Sequence, residues 1–262
     1  MITALIDGDI FAYTAAATAE VATDWGEGLW TLHAQEGPAL AEMEASILRA
    51  AEAVEADTII VALSDTENFR KAVLPTYKGN REGVRKPMLL PFLKEKLGEL
   101  FTVYQRPGLE GDDVLGILST WGGLKGDKII VSKDKDFQCI PGKVFYTHKP
   151  ELGVQEITSH AADYFHFFQT LTGDTTDGYS GCPGCGPKTA EKLLNAALEE
   201  GTPWANPTQL NAIYWQHVVA AYAKKGLGEE EALTQARVAR ILRASDYDFK
   251  KKEPILWTPN HL

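Results

Sequence analysis

Three short β-branched segments, each followed by an aspartate, constrain the fold of this chain more than any other feature. The predicted strands are residues 3–6, 58–63 and 128–131, with a further candidate at 144–146. Helical segments are expected between them, at residues 10–19, 39–56, 88–100 and 112–121. This alternation predicts a parallel sheet covered by helices, in which ligands bind at the carboxyl ends of the strands. Asp7, Asp65 and Asp134 should therefore meet at one sheet edge.

A single aspartate after a strand is usually only a turn residue or a helix cap, but further acids follow the same pattern. Glu110, Asp112 and Asp113 stand at a predicted helix start, where capping explains one or two of them. Asp134 and Asp136 alternate along an extended segment and should face one side. Asp9, two residues beyond Asp7, is interpreted as a turn or cap residue.

Residues 173–194 combine two more acids with a break between helices. Asp174 and Asp177 are three residues apart, so on a helical turn their carboxylates would face the same way. Residues 181–188 hold three glycines and two prolines and interrupt any helix, and a new helix is predicted from Thr189. A glycine hairpin between helices leaves backbone N–H groups for a phosphate.

The net charge of −10 argues at first against a nucleic-acid partner, since phosphate binding needs cationic side chains. The basic residues are concentrated, however, in residues 70–86, where Glu82 is the only acid. The remaining composition is that of a globular chain without a membrane span or a disulfide framework, since it has three cysteines. We expect a cytoplasmic protein. A zinc site at Cys182 and Cys185 is disfavoured because no second cysteine pair exists.

Together these motifs resemble the flap endonuclease and 5′→3′ exonuclease family, which includes the nuclease domain of bacterial DNA polymerase I and free-standing bacteriophage exonucleases. Residues 181–190 read as the family hairpin G-x-P-G-x-G-x-K-T-A without a gap. Residues 108–113 resemble G-x-E-A-D-D, with Gly111 in place of the common alanine. Residues 132–136 resemble S-x-D-x-D, and Phe69-Arg70 with residues 77–81 resembles F-R…Y-K-x-x-R. The resemblance spans residues 3–195 and leaves residues 20–38, a candidate hairpin, unmatched.

The resemblance implies an α/β fold with a PIN-like parallel sheet covered by helices. Residues 1–172 would form the catalytic domain, with a basic helical-arch segment at 66–98. Residues 173–262 would form the helix-hairpin-helix (helix-three-turn-helix) DNA-binding region and a C-terminal helical region, with helices predicted over 204–244.

The resemblance also implies the site residues. One Mg²⁺ would be held mainly by Asp7, Asp65, Glu110, Asp112 and Asp113, and a second by Asp134, Asp136, Asp174 and Asp177, with Mn²⁺ as an alternative metal. The residues with implied catalytic roles are Lys78, Arg81, Asp7 and Asp113. The implied DNA-binding residues are Arg70, Tyr77, Lys78, Arg81, Gly181, Gly184, Gly186, Lys188 and Thr189. For Tyr77, stacking on a base and packing in the core are equally open. A K⁺ ion held by hairpin carbonyls is a further implication.

The implied function is metal-dependent 5′→3′ exonuclease and 5′ flap endonuclease activity on DNA, with RNA primers in RNA–DNA hybrids as another substrate. A role in DNA replication or in degrading host DNA would fit, in the host cytoplasm if a bacteriophage encodes the chain. A PIN-type ribonuclease is the enzymatic alternative, and the basic segment with the hairpin weighs against it. A non-catalytic DNA-binding module is the other, and the presence of all nine acids weighs against that. A phosphatase-like metal enzyme would leave both DNA-binding elements unexplained.

Overall fold

A computed structural model describes residues 1–200 and 207–259, and the chain divides into two compact units. The first contains Met1–Glu67, Gly83–Lys135 and Gly142–Glu156. The second contains Asn68–Glu82, Asp136–Pro141 and the chain from Ile157 onward. The predicted boundary at residue 172 differs from this division, because the helix that ends at Thr172 packs against helices of the second unit.

The first unit is built on a sheet of six strands in the order β5-β4-β1-β6-β7-β8. The strands are β1 (Ile2–Asp7), β4 (Thr58–Leu63), β5 (Thr102–Gln105), β6 (Asp127–Ser132), β7 (Gly142–Tyr146) and β8 (Val154–Ile157). The central strand β1 pairs in parallel with both β4 and β6. The carboxyl ends of these three strands therefore lie at one edge, as their sequences predict.

Helices cover this sheet because their apolar residues recur at helical spacing. They are α1 (Gly8–Ala19), α2 (Glu36–Ala53), α4 (Leu90–Leu100) and α5 (Gly111–Thr120). Met43 and Ile47 of α2 and Leu93 and Leu97 of α4 are fully buried in the main core. The four helices predicted between the strands are thus confirmed within a few residues, whereas β5 and β8 were not predicted.

The unmatched segment after α1 forms a two-stranded antiparallel hairpin, as its sequence suggested. Its strands are β2 (Val21–Asp24) and β3 (Trp30–His33). The hairpin is anchored at its base, where the Glu20 carboxylate accepts hydrogen bonds from Arg85 and from the Met88 N–H. Trp25 and Trp30 are exposed on the hairpin.

The second unit is helical. Its helices are α3 (Arg70–Val73), α6 (Ser159–Thr172), α7 (Pro187–Glu200), α8 (Pro207–Ala223) and α9 (Glu229–Ala239), followed by the short strands β9 (Tyr247–Asp248) and β10 (Glu253–Pro254). Phe167, Tyr214, Tyr222 and Trp257 form its aromatic core. The helices predicted over 204–244 appear as α8 and α9, and residues 204–206 lie outside the described part.

The basic segment is less helical than an arch would require. Between residues 66 and 89 the structure has only α3 and a short 3₁₀ turn, Gly79–Arg81. Glycines at 79 and 83 and a proline at 87 explain why a longer helix does not form. Within the described residues, none of the helices has the length and apolar character needed to cross a membrane.

His166, on α6, makes the stability of the protein depend on pH. It is fully buried, and its Nε2 lies 2.8 Å from the backbone oxygen of Ala236. Burial, reinforced by Arg240, lowers the pKa of His166 to about 3. A histidine in the unfolded chain has a pKa of about 6.5. Between pH 6.5 and pH 3, the unfolded state therefore binds a proton that the folded state does not bind.

We expect the contribution of His166 to stability to be complete above pH 6.5 and to fall as the pH drops below it. The loss should be on the order of 2 kcal/mol between pH 8 and pH 5. Urea unfolding of the protein and of His166→Gln at both pH values measures it. Because other groups also titrate, only the difference in pH dependence between the two proteins counts. An identical pH dependence of their midpoints would contradict the assignment.

Candidate active site

Asp7 is a deeply buried acid at the carboxyl edge of the sheet. It is 2% exposed, caps α1 by accepting from the Ile10 N–H, and accepts a hydrogen bond of 2.7 Å from the Ser132 hydroxyl. Burial raises the pKa of Asp7 to about 7, and the nearby charges of Asp9 and Asp134 add to the rise. Like charges around a buried carboxylate are relieved when a cation binds among them.

Asp134 lies in the first unit, close enough to Asp7 for its charge to raise the pKa of that carboxyl. Ser132 connects the two acids, because its hydroxyl donates to Asp7 while its oxygen accepts from the Asp134 N–H at 3.0 Å. The alternation of residues 132–136 does not continue as a strand. β6 ends at Ser132, and Lys135–Cys139 form a 3₁₀ turn.

Asp65 and the acids before and within α5 are joined by hydrogen bonds. Asp65 donates its N–H to the Leu109 oxygen at 2.9 Å, and its carboxylate accepts from the Gly108 N–H at 2.8 Å. That bond, with others from backbone N–H groups, lowers the pKa of Asp65. Glu110 and Asp113 form a reciprocal capping box at the start of α5, so the capping interpretation is confirmed for both. The structure thus brings Asp65 beside the segment with Glu110, Asp112 and Asp113.

Asp136, Asp174 and Asp177 belong to the second unit. Asp136 accepts from the Gln169 side chain of α6 at 2.8 Å. Residues 174–179 form a turn closed by a bridge between Asp174 and Tyr179, so the predicted helical turn is wrong there. Asp174 folds this turn by accepting from the Thr176 N–H at 2.7 Å. Burial raises the pKa of Tyr179 well above its usual value, and the charges of the three acids add to the rise.

The cationic pair predicted for the scissile phosphate is held on Asp177. Arg81 Nη2 lies 2.5 Å and Lys78 Nζ 3.6 Å from its carboxylate oxygens. The Tyr77 hydroxyl donates to the same carboxylate at 3.0 Å. The backbone N–H of Lys78 donates to the backbone oxygen of Asp177 at 2.8 Å. Lys78 itself adopts a left-handed backbone conformation, with φ of 54°. Arg81 is half exposed and Lys78 largely covered.

Arg70 and Tyr77 do not lie where the resemblance implied. Arg70 is 2% exposed, and its guanidinium donates to the backbone oxygens of Val238 and Arg240 at 2.9 and 2.6 Å. The expectation that Arg70 contacts a substrate phosphate is therefore corrected, since its donors are directed at buried carbonyls. Tyr77 is 2% exposed and packs with Tyr179, as the core-packing alternative required.

The hairpin of residues 181–186 forms where it was predicted, but some of its amides are used internally. The Gly181 N–H donates to the Gln235 side chain at 2.8 Å, and the Cys182 N–H donates to Leu171. A Cβ at Gly181, whose φ is 63°, would lie 2.3 Å from the Gly173 nitrogen, so only glycine is accommodated. Gly181 is therefore a packing residue rather than an exposed donor.

The exposed end of the hairpin keeps the other predicted phosphate-binding residues. Gly184, Gly186, Lys188 and Thr189 are exposed, the last two in the first turn of α7. Cys182 and Cys185 are buried in the apolar core of the second unit. Burial raises the pKa of both thiols.

Asp9, Ser64 and Lys94 make contacts at the sheet edge that the sequence did not predict. Asp9, interpreted as a turn or cap residue, does not cap α1, since Asp7 does so. Its carboxylate instead accepts from the Ser64 N–H and pairs with Lys94. The glycine at position 111, a departure from the resembled motif, was the signal that could have indicated this arrangement.

The donor chemistry of the acids suits a hard divalent cation, because all of them are carboxylates and Asp7 is destabilised by its acidic neighbours. Across residues 1–200 and 207–259, however, no group of three or more His, Cys, Asp or Glu side chains is arranged so that it could hold a metal ion. The described geometry therefore leaves the division of the acids between metals a prediction.

Comparisons with known proteins bear on the family and the fold of this chain. Residues 3–164 match the family model of the 5′–3′ exonuclease N-terminal resolvase-like domain. The chain is 34% identical to an exodeoxyribonuclease of Enterobacteria phage T3, over 97% of this chain and 92% of that one. It is also 34% identical to an exonuclease of Escherichia phage T7, over 97% and 93%. Among solved structures, the bacteriophage T5 flap endonuclease, determined with DNA and metal ions, matches with a TM-score of 0.63 and 17% identity, over 91% of this chain and 89% of that one.

The raised pKa of Asp7 predicts how its replacement changes stability. Without a cation, Asp7 keeps a proton in the folded state between about pH 4 and pH 7, whereas the unfolded state has lost it. The stability of the protein therefore falls as the pH rises from about 4 to about 7. We expect Asp7→Asn to be more stable than the wild type at pH 8 in EDTA, by on the order of 2–4 kcal/mol. Urea unfolding at pH 8 and pH 5 measures this. A gain of equal size at both pH values would show that desolvation of the charge is not the cause.

Proposed function

The chain belongs to the 5′–3′ exonuclease family, and on that premise we propose that it hydrolyses DNA phosphodiesters from a 5′ end or at a 5′ flap. The observation that supports this most is the convergence of Asp7, Asp65 and Asp134 behind neighbouring parallel strands. These carboxylates suit an enzyme that brings cations to an anionic backbone.

The proposed cofactor is a divalent metal, with Mg²⁺ as the ion and Mn²⁺ as its substitute. One ion would be held mainly by Asp7, Asp65, Glu110, Asp112 and Asp113. A second ion would be held by Asp134, Asp136, Asp174 and Asp177, partly through water. When bound, such ions activate a water molecule and stabilise the leaving oxygen of a phosphoryl displacement. Asp7 contributes a proton step of its own, because at neutral pH its carboxyl is partly protonated and must lose that proton to serve as a ligand.

Lys78 and Arg81 are the proposed phosphate-binding cations. Both side chains form ion pairs with the Asp177 carboxylate, and a phosphate would compete with this carboxylate for their N–H donors. A guanidinium held in place in this way can stabilise charge that develops on the phosphate during cleavage. Because Arg70 and Tyr77 are buried, we leave them out of the proposed interface.

The glycine hairpin of residues 181–186 is proposed to bind the duplex away from the cleaved bond. The exposed glycines at 184 and 186 allow a backbone phosphate to approach closely, and Lys188 supplies a charge at the start of α7. A K⁺ ion at the hairpin carbonyls and RNA–DNA hybrids as substrates belong to the same proposal. A location in the cytoplasm of the cell stays a prediction.

Cleavage of 5′-end-labelled DNA tests the proposal directly. We expect release of mononucleotides or short oligonucleotides from labelled duplex and 5′-flap substrates in Mg²⁺. Cleavage should be lost in EDTA and in Asp134→Ala/Asp136→Ala, because the cations would lose ligands. A parallel RNA–DNA hybrid tests the primer substrate.

Two results would contradict parts of this proposal. Tight DNA binding without cleavage would indicate the non-catalytic binding module. Cleavage of single-stranded RNA in preference to every DNA substrate would favour the PIN-type ribonuclease.

Arg81 provides the matched test of the phosphate-binding cations. We expect Arg81→Ala to lower the cleavage rate at saturating DNA by about a hundredfold, because one charge-stabilising donor is lost. Lys71→Ala removes an equal charge from the same basic segment at an exposed position and should change the rate little. Single-turnover cleavage separates the rate from DNA affinity. Equal losses in the two variants would mean that only the net charge of the segment matters.

A further inference from the structure

Asp9 connects three segments of the sheet edge through its carboxylate. Oδ2 accepts a hydrogen bond of 2.7 Å from the Ser64 N–H, 55 residues away. Oδ1 forms an ion pair of 2.7 Å with Lys94 of α4, and both side chains are about 29% exposed. With both oxygens engaged, the carboxylate of Asp9 is fixed beside the end of β4.

The hydrogen bonds continue from Ser64 to the start of α5. The Ser64 hydroxyl oxygen accepts from the Gly111 N–H at 2.8 Å. The next residue, Asp65, is bonded to Gly108 and Leu109, which precede the acids of α5. Ser64 therefore links Asp9 to the two segments that carry predicted ligands: the end of β4, which Asp65 follows, and the start of α5.

Gly111 closes this arrangement from the other side. A Cβ at position 111 would lie 3.0 Å from Asp9 Oδ2 and 3.4 Å from the Ser64 nitrogen. An unrestrained carboxylate could move away from such a methyl group. Here the shift of a few tenths of an ångström that such a contact demands would strain the Ser64 hydrogen bond or the Lys94 ion pair. The glycine that departs from the resembled G-x-E-A-D-D motif is thus the residue that the carboxylate of Asp9 requires.

We propose that Asp9, Ser64 and Gly111 are a coupled positioning unit, in which the Asp9 carboxylate occupies the space of a side chain at position 111. This unit sets the spacing between Asp7 on β1, Asp65 after β4 and the acids at the start of α5. Asp9 is a positioning residue and not one of the proposed ligands. The inference goes beyond the proposed function and rests on it only for the readout that uses cleavage.

A double-mutant cycle on Asp9 and Gly111 tests the coupling. The variants are Gly111→Ala, Asp9→Ala and their combination, with Asp9→Asn/Gly111→Ala as an isosteric variant that keeps the bulk at position 9. Gly37→Ala is the matched control, because a Cβ at Gly37 meets no atom within 4 Å. One readout is the urea midpoint in EDTA, which needs no activity. The other is the Mg²⁺ concentration for half-maximal cleavage.

We expect Gly111→Ala to lower the urea midpoint and to raise the Mg²⁺ requirement about tenfold, because it displaces the residues that orient the acids. Adding Asp9→Ala should recover the part of both losses that comes from the steric contact, so the double variant should lose less than the sum of the two single variants. Adding Asp9→Asn should recover neither, because the amide has the same size. Gly37→Ala should not lower the urea midpoint and should leave the Mg²⁺ requirement unchanged.

Several results would overturn the proposal. Losses that add in the double variant would show that the two residues are independent. Recovery by Asp9→Asn would show that charge, and not space, matters. A lowered midpoint with an unchanged Mg²⁺ requirement would make the unit merely structural. If the wild type does not cleave DNA, the proposed function fails, while the unfolding cycle still decides whether Asp9 and Gly111 are coupled.

Discussion

The buried carboxylate of Asp7, at the end of the central strand β1, sets the electrostatics of the sheet edge. A charge there is unfavourable because it is removed from water and lies near Asp9 and Asp134. The protein offsets part of this cost with two hydrogen bonds, from Ser132 and from the first turn of α1. The unfavourable charge that remains would be relieved by the divalent cation proposed for this edge.

The second unit handles its charges differently. Its acid Asp177 already has cationic partners, since Lys78 and Arg81 lie on its carboxylate and Tyr77 donates to it. Such pairs at a partly exposed position contribute little to stability. The ion pairs instead fix the positions of the Lys78 and Arg81 side chains beside the turn that carries Asp177. A substrate phosphate would find these donors oriented in advance, which reduces the entropy lost on binding.

The positions of several acids at the sheet edge could be predicted from sequence, and the predictions that failed have common physical causes. Strand-ending aspartates were located correctly because the carboxyl ends of parallel strands share an edge whatever the details of packing. Arg70 was misassigned because sequence does not distinguish a cation that binds phosphate from one that binds backbone carbonyls in the interior. The turn at Asp174 was read as helical because a spacing of three residues also suits an Asx-type turn. Asp9 was undervalued because its partner Ser64 is distant in sequence.

The sequence alone determined the alternating α/β architecture, the identity of the acids and the position of the glycine hairpin. Each of these follows from local properties: hydrophobic period, chain reversal at glycine and proline, and the chemistry of a side chain. The tertiary structure decided which groups are buried, which acids share hydrogen bonds and which amides of the hairpin are already used. Those outcomes depend on long-range contacts, such as Ser132 with Asp7 and Gln235 with Gly181, whose geometry no local pattern encodes.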